Sequence, residues 1–368
     1  MIYFDNAATS FPKPKDVIQA TNECITKYCG NPGRSSHKLS LKSAEKIFES
    51  RESVMKFIGA ESEENIIFTQ NATHALNHAI KGLVPNDSHC IISDLEHNSV
   101  LRPINTLTKE NGVEFTVFDS SLPLRKAIIP SITEKTSTIV TSIASNVTGK
   151  VLNLKELSDI AREFSLKLIV DASQHIGHKE INLKNTPVDA LCAPGHKALF
   201  GIQGSGFLYM KNTPNIKTLI EGGTGSNSFS EEMPEYLPDR LEAGTLSTPA
   251  IVSLGSGIEY IKSYGMEQIE KYINNLTRYA EEVLSSFMDI EVYGAENGIV
   301  SFNKKKTPSF DMAKILEKYN IASRGGIHCA PLIHKKLGTE NTGAVRISFS
   351  IHNSIKDIDK LFLAIKKG

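Results

Sequence analysis

The sequence has no surplus of charge of either sign: 41 basic side chains stand against 41 acidic ones over 368 residues. That balance offers neither a basic footprint for nucleic acid nor a polybasic surface for an acidic membrane. No apolar run is long enough to cross a bilayer. The first residues, Met1-Ile2-Tyr3-Phe4-Asp5, lack the basic segment and apolar stretch of a secretory signal. The expected setting is therefore cytoplasmic, with no nucleic-acid or membrane partner. Cysteine is scarce, at Cys24, Cys29, Cys90, Cys192 and Cys329. An odd count without a CxxC pair argues against a disulfide framework and a structural zinc site, so no metal is expected. Cys24 and Cys29 are expected to help bury a helix face. Cys90 and Cys192 lie in apolar runs and read as inert core residues. There are no internal repeats and no low-complexity tract.

What is present is enough for about two domains, with an ordinary hydrophobic fraction of 40%. Residues 1–15 read as an extended arm punctuated by Pro12 and Pro14. A helix follows, then a break at Gly30-Asn31-Pro32-Gly33. The segment Arg34-Ser35-Ser36-His37 leads into a long helix that Gly59 ends. Residues 16–252 form the expected large domain. Short apolar runs recur there at Ile66 to Thr69, Cys90 to Ser93, Glu114 to Phe118, Thr138 to Ile143, Lys167 to Val170, Ala190 to Cys192 and Gly206 to Met210. Helical patterns separate several of them. This alternation predicts an α/β fold with a mostly parallel seven-stranded sheet covered on both faces. From about residue 253 the pattern changes to a small C-terminal α+β domain over 253–368. It opens on a long amphipathic helix, and its predicted strands include single runs at Ile321 to Arg324 and Val345 to Phe349.

The chemistry centres on Leu191-Cys192-Ala193-Pro194-Gly195-His196-Lys197. A lysine held among apolar residues after a tight turn is pushed toward its neutral amine, the form that attacks carbonyls. Asp171 ends the apolar run before it. Lys197 and Asp171 are the pair that a pyridoxal phosphate site needs, one for the Schiff base and one for the pyridinium nitrogen. Ligands in such sheets sit beyond the carboxyl ends of strands, where these residues and others of interest fall. Asn71-Ala72-Thr73-His74 opens a helix after a strand and reads either as an anion site or as a plain N-cap. Gly201 to Gly206 looks like a phosphate loop but leads into a strand, so it is read as a turn. Ser323-Arg324-Gly325-Gly326-Ile327-His328-Cys329-Ala330-Pro331 places a cysteine with basic residues in a glycine-rich loop. Positive neighbours favour a thiolate, and glycines let a loop swing.

With these motifs in this order, from Tyr3-Phe4-Asp5-Asn6-Ala7-Ala8-Thr9 to Arg346, the chain resembles the fold-type I pyridoxal phosphate enzymes of the class V aminotransferase group. Within that group it is most similar to the cysteine desulfurases and selenocysteine lyases. The resemblance implies pyridoxal 5′-phosphate as cofactor and L-cysteine or L-selenocysteine as substrate, with alanine as product. It implies that Lys197 carries the cofactor, that Asp171 partners the ring nitrogen and that His97 stacks on the ring. Gln174 and Asn146 would lie beside the ring oxygen. Ala72, Thr73 and His196 would hold the phosphate. Pro194 departs from the family, which often has a serine there, and removes one phosphate contact.

The resemblance further assigns Arg346 to the substrate carboxylate, with Arg324 and Asn146 beside it, and Cys329 to the role of sulfur acceptor. Gly244 and Thr245 would reach the phosphate of a neighbouring subunit in a homodimer with shared sites. The short connection between Arg324 and Arg346 is similar to that of group II desulfurases, which commonly pass the persulfide to an acceptor protein. A transaminase, epimerase or kynureninase-like enzyme of the same fold needs the lysine and aspartate but not the loop cysteine. A scaffold that retains the fold would need none of them.

Overall fold

A computed structural model describes residues 1–33, 36–211 and 216–367. Arg34 and Ser35, in the segment expected to lead into the long helix, lie outside the described residues. The N-terminal arm carries β1 (Ile2–Tyr3), followed by α1 (Lys15–Glu23) and α2 (Lys38–Ile58). The His37 ring accepts the Ser40 N–H to start α2, and Gly59 stops it with a left-handed backbone at φ 66°. A π-helical turn, Cys24–Tyr28, extends α1. It buries Cys24 but leaves Cys29 exposed. The expectation that both thiols face inward is corrected for Cys29, because it lies just past the turn.

The large sheet is built from β2 (Ile66–Thr69), β3 (His89–Ser93), β4 (Glu114–Phe118), β5 (Thr136–Ser142), β6 (Lys167–Asp171), β7 (Ala190–Pro194) and β8 (Gly206–Met210). Its order is β2-β8-β7-β6-β5-β3-β4. Only β8 runs against the others, being antiparallel to both β2 and β7. The helices interleaved with these strands are α3 (Ala72–Leu83), α4 (Asn98–Asn111), α5 (Leu124–Ile128) and α6 (Leu154–Glu163). Strands β2, β3, β7 and β8 are buried along their whole length. They read as continuous apolar runs because helices cover both faces of the sheet. Every expected strand of this sheet is present.

Next come α7 (Thr248–Tyr264) and α8 (Met266–Ser285). α7 passes unbroken through residue 253 and packs on α1 and α2, and the chain changes direction only at Gly265. A Cβ on Gly257 of α7 would stand 2.0 Å from the Leu199 carbonyl. Glycine there lets the helix press on the segment just after Lys197.

The small domain holds β9 (Ile290–Glu296), β10 (Ile299–Lys304), α9 (Ser309–Lys318), β11 (Ile321–Ala322), β12 (Arg324–Gly326), α10 (Pro331–Lys336), β13 (Ala344–Ser348) and α11 (Ile355–Lys367). Its sheet is antiparallel, in the order β12-β13-β10-β9. The expected single run from Ile321 to Arg324 is divided. β11 pairs in parallel with β1 of the arm, whereas β12 pairs with β13. The arm is thus stitched to the small domain, and Asn6 Nδ2 adds a bond to the Ser348 carbonyl at 3.0 Å.

Candidate active site

The carboxyl ends of β5, β6 and β7 face the small domain across a cavity of about 230 Å³. It is lined by Ala72, Thr73, His97, Asn146, Asp171, Gln174, Pro194, His196, Lys197, Arg324, Cys329 and Arg346. Most of the residues singled out in the sequence meet here, from segments far apart in the chain. Gly244 and Thr245 do not. They line a separate cavity with Arg51 and Glu242, and the Gly244 N–H is held by the Gly223 carbonyl at 2.8 Å. Within one chain they stand apart from Lys197.

Lys197 follows the end of β7, and its amine is lowered to about 8, first by burial and then by Arg346 and Arg324, against the opposing pull of Asp171. Asp171, at the end of β6, accepts the Ser173 N–H on Oδ1 at 2.9 Å. That bond orients the carboxylate at the strand end. Gln174 is fixed by its Nε2 donating to the Ala7 carbonyl at 3.0 Å.

His97 both caps a helix and lines the cavity. Its Nδ1 accepts the Ser99 N–H at 3.1 Å and caps α4, while the ring faces the cavity. Burial lowers it to about 4, so the ring is neutral at ordinary pH. Ser99, which no local pattern marks, bonds Thr73 Oγ1 at 2.8 Å and His97 Nδ1 at 2.8 Å. It adds a hydroxyl to a cavity lining in which Pro194 offers none.

Beneath His97 lies Glu96, fully buried. Its carboxylate accepts the Ser93 N–H and hydroxyl from β3 and the Ser142 N–H and hydroxyl from β5. Burial pushes it up to about 7, against these bonds, with Asp171 raising it further. Glu96 ties the end of β3, which leads to His97, to the end of β5, where Ser142 pairs with Asp171 of β6. Sequence reasoning missed it because nothing local marks a glutamate for burial.

Arg346, on β13, is 2% exposed and reaches across to Asn146 O at 2.9 Å and Asp5 Oδ1 at 3.0 Å. Its Nε has no partner among the described residues. Cys329 is exposed, with its carbonyl held by the Asn98 N–H at 2.8 Å. His328 does not supply the positive charge expected from its place beside Cys329. Burial and then Arg346 drive its pKa far down, and its Nε2 donates to Ala344 O at 3.0 Å. Arg324 is the exposed cation of this loop. The expected swinging loop is instead docked, since Asn146 Nδ2 also holds the His328 carbonyl at 2.7 Å.

This donor set fits pyridoxal 5′-phosphate. The buried Asn146 Oδ1 and His196 Nδ1 have no partner among the described residues. Residues 72 and 73 begin α3, whose first-turn N–H groups have no intrahelical acceptor and suit a phosphate. A lysine biased toward its neutral form and a strand-end carboxylate complete the set.

A family model described as aminotransferase class-V matches residues 2–361. A probable cysteine desulfurase of Methanothermobacter thermautotrophicus is 34% identical, with 98% of this chain and 92% of that protein covered. The apo structure of a cysteine desulfurase from Thermococcus onnurineus NA1 superposes with a TM-score of 0.92 at 32% identity, covering 100% of this chain and 94% of the other. A cysteine desulfurase of Escherichia coli in an S-sulfonic acid form superposes with a TM-score of 0.89 at 26% identity, covering 99% and 94%. Sequence, fold and cavity agree, and the chain belongs to the class-V aminotransferase family, among the cysteine desulfurases, whose cofactor is pyridoxal 5′-phosphate.

Proposed function

We propose that the protein removes sulfur from L-cysteine, releases alanine and takes the sulfur onto Cys329. The observation that carries this reading is an exposed cysteine on the wall of the cavity that also holds Lys197 and Arg346. Bound in the cavity, pyridoxal 5′-phosphate supplies an electron sink for bond breaking next to the substrate α-carbon. Lys197 carries it through Nζ and afterwards moves protons on the substrate. Asp171 keeps a proton on the ring nitrogen. Thr73, the N–H of Ala72 and His196 hold the phosphate, while Gln174 and Asn146 bond the ring oxygen. His97, neutral and held by Ser99, stacks on the ring.

Arg346 grips the substrate carboxylate with Arg324 beside it, as a planar and permanently charged fork can. The Cys329 thiolate attacks the substrate sulfur. A sulfur–sulfur bond forms as the carbon–sulfur bond breaks, the electron pair stays on the carbon side, and protonation there yields alanine. Selenocysteine fits the same groups, because its carboxylate and amine are the same. In this reading the protein acts in the cytoplasm as a homodimer, with Gly244 and Thr245 directed to the partner's phosphate. The exposed persulfide would then pass to an acceptor protein.

The test is to supply L-cysteine or L-selenocysteine and measure alanine, together with the mass of the Cys329 peptide. Alanine accompanied by a persulfide increment on that peptide is expected. Amino-group transfer to an oxo acid without alanine from cysteine would replace this reading with a transaminase.

A further inference from the structure

His328 and Cys329 both hold left-handed backbone, at φ 54° and 56°, and neither is glycine. Such residues keep that conformation only where the surroundings impose it. Here the His328 carbonyl is bound by Asn146 Nδ2 and the Cys329 carbonyl by the Asn98 N–H. These anchors act at one end of α10, which starts at Pro331, two residues after Cys329. The other end of α10 is held by Lys336. Its Nζ donates to Asp94 Oδ2 at 2.5 Å and also to Asp119 Oδ1. Asp94 follows β3 and Asp119 follows β4, so the ammonium joins the small domain to two strand ends of the large sheet.

The Asp94 side chain is only 10% exposed and also accepts the Ser120 N–H. It lies three residues before His97, so the segment that α10 grips is the one that presents His97 to the cavity. Burial pulls the Lys336 amine down, but its bonds to Asp119 and Asp94 hold it above its ordinary value. The ammonium persists throughout the neutral range.

We propose that Lys336 is a positioning residue for Cys329: by clamping the end of α10 to Asp94 and Asp119, it holds the strained His328–Cys329 turn over the cavity. The clamp touches neither substrate nor cofactor and acts through a short rigid helix. The proposal rests on the reading of Cys329 as the sulfur acceptor. With the clamp cut, the turn relaxes and the thiol loses its aim, whereas the Lys197 side of the cavity is untouched.

The experiment compares holoenzymes of Lys336→Met, Lys336→Arg and Asp119→Ala with the parent protein. Three quantities are read: cofactor absorbance, kcat and KM for alanine formation from cysteine, and the rate at which iodoacetamide alkylates Cys329, followed by peptide mass. Lys336→Met is expected to keep its absorbance and KM, to lose about tenfold in kcat, as misplacement of a reacting atom does, and to alkylate Cys329 at an altered rate. Lys336→Arg should recover most of the loss. Asp119→Ala, which removes a half-exposed carboxylate and leaves the fold intact, should shift kcat and alkylation in the same direction by less. Parent-like kcat and alkylation in both Lys336→Met and Asp119→Ala would overturn the proposal. So would an equal loss in Lys336→Arg, or a kcat loss that only tracks loss of cofactor. The alkylation rate needs no turnover, so it separates failure of the clamp from failure of the desulfurase reading.

Discussion

The carbonyl oxygen of Cys329 accepts the backbone N–H of Asn98 at 2.8 Å. This single bond ties the loop cysteine of the small domain to the residue after His97 in the large one. The cavity therefore closes on itself from both sides, and the thiol and His97 are positioned by the same segment between β3 and α4.

Cys329→Ala removes the thiol without touching Lys197 or Asp171. The variant is expected to keep cofactor colour and lose most alanine formation from cysteine, since sulfur leaves poorly without a nucleophile to take it. It should retain a larger fraction with selenocysteine, because a selenol leaves with less help. Undiminished alanine formation from cysteine would remove Cys329 from the reaction.

Lys197 titrates near 8, because burial, Arg346 and Arg324 together outweigh Asp171. Only the neutral amine bonds the cofactor, and it gains population as pH rises through that value. When cofactor is added to cofactor-free protein, the rate of covalent attachment should climb about tenfold per pH unit below 8 and level off above it. Borohydride should fix the cofactor on the Lys197 peptide. A flat rate profile, or a label on another lysine, contradicts this assignment.

Arg346 is buried, with Asp5 and the Asn146 carbonyl on its guanidinium. Arg346→Ala leaves Asp5 without its partner and is expected to cost about 3 kcal/mol of stability, read from the urea midpoint. Arg346→Lys keeps the charge but cannot serve Asp5, Asn146 and a substrate carboxylate together. Its KM for cysteine should rise about tenfold or more. A lysine variant with parent KM would place the carboxylate elsewhere.

Gly149 has φ 75°, and a Cβ there would lie 1.8 Å from the Glu296 carbonyl of β9. That contact is between backbones, so no side chain can swing aside. Gly149→Ala should lower stability by more than about 2 kcal/mol, and the loss should appear in equilibrium unfolding. A neutral result would mean that this approach of the small domain is looser than the structure has it.

Much of the large sheet was legible because its strands are covered on both faces and so appear as short, unbroken apolar runs. Lys197, Asp171, His97 and Thr73 were legible for a related reason: each follows such a run, and strand ends collect ligands in this architecture. The pairing of Cys329 with the cavity came from the family's motif order. Its docked state did not, because the glycines around it suggest mobility while its anchors, Asn98 and Asn146, lie far away in the chain.

The sequence by itself determined the layout of alternating strands and helices, the lysine–aspartate pair and the loop cysteine, because each is written in local residue order. Only the tertiary structure decided that Arg346 leans on Asp5, that Glu96 binds β3 to β5, that His328 is neutral and that Lys336 spans Asp94 and Asp119. Each of these depends on burial or on partners brought together across distant segments. The energy of a charge is set by what surrounds it in space, and local sequence does not state those surroundings.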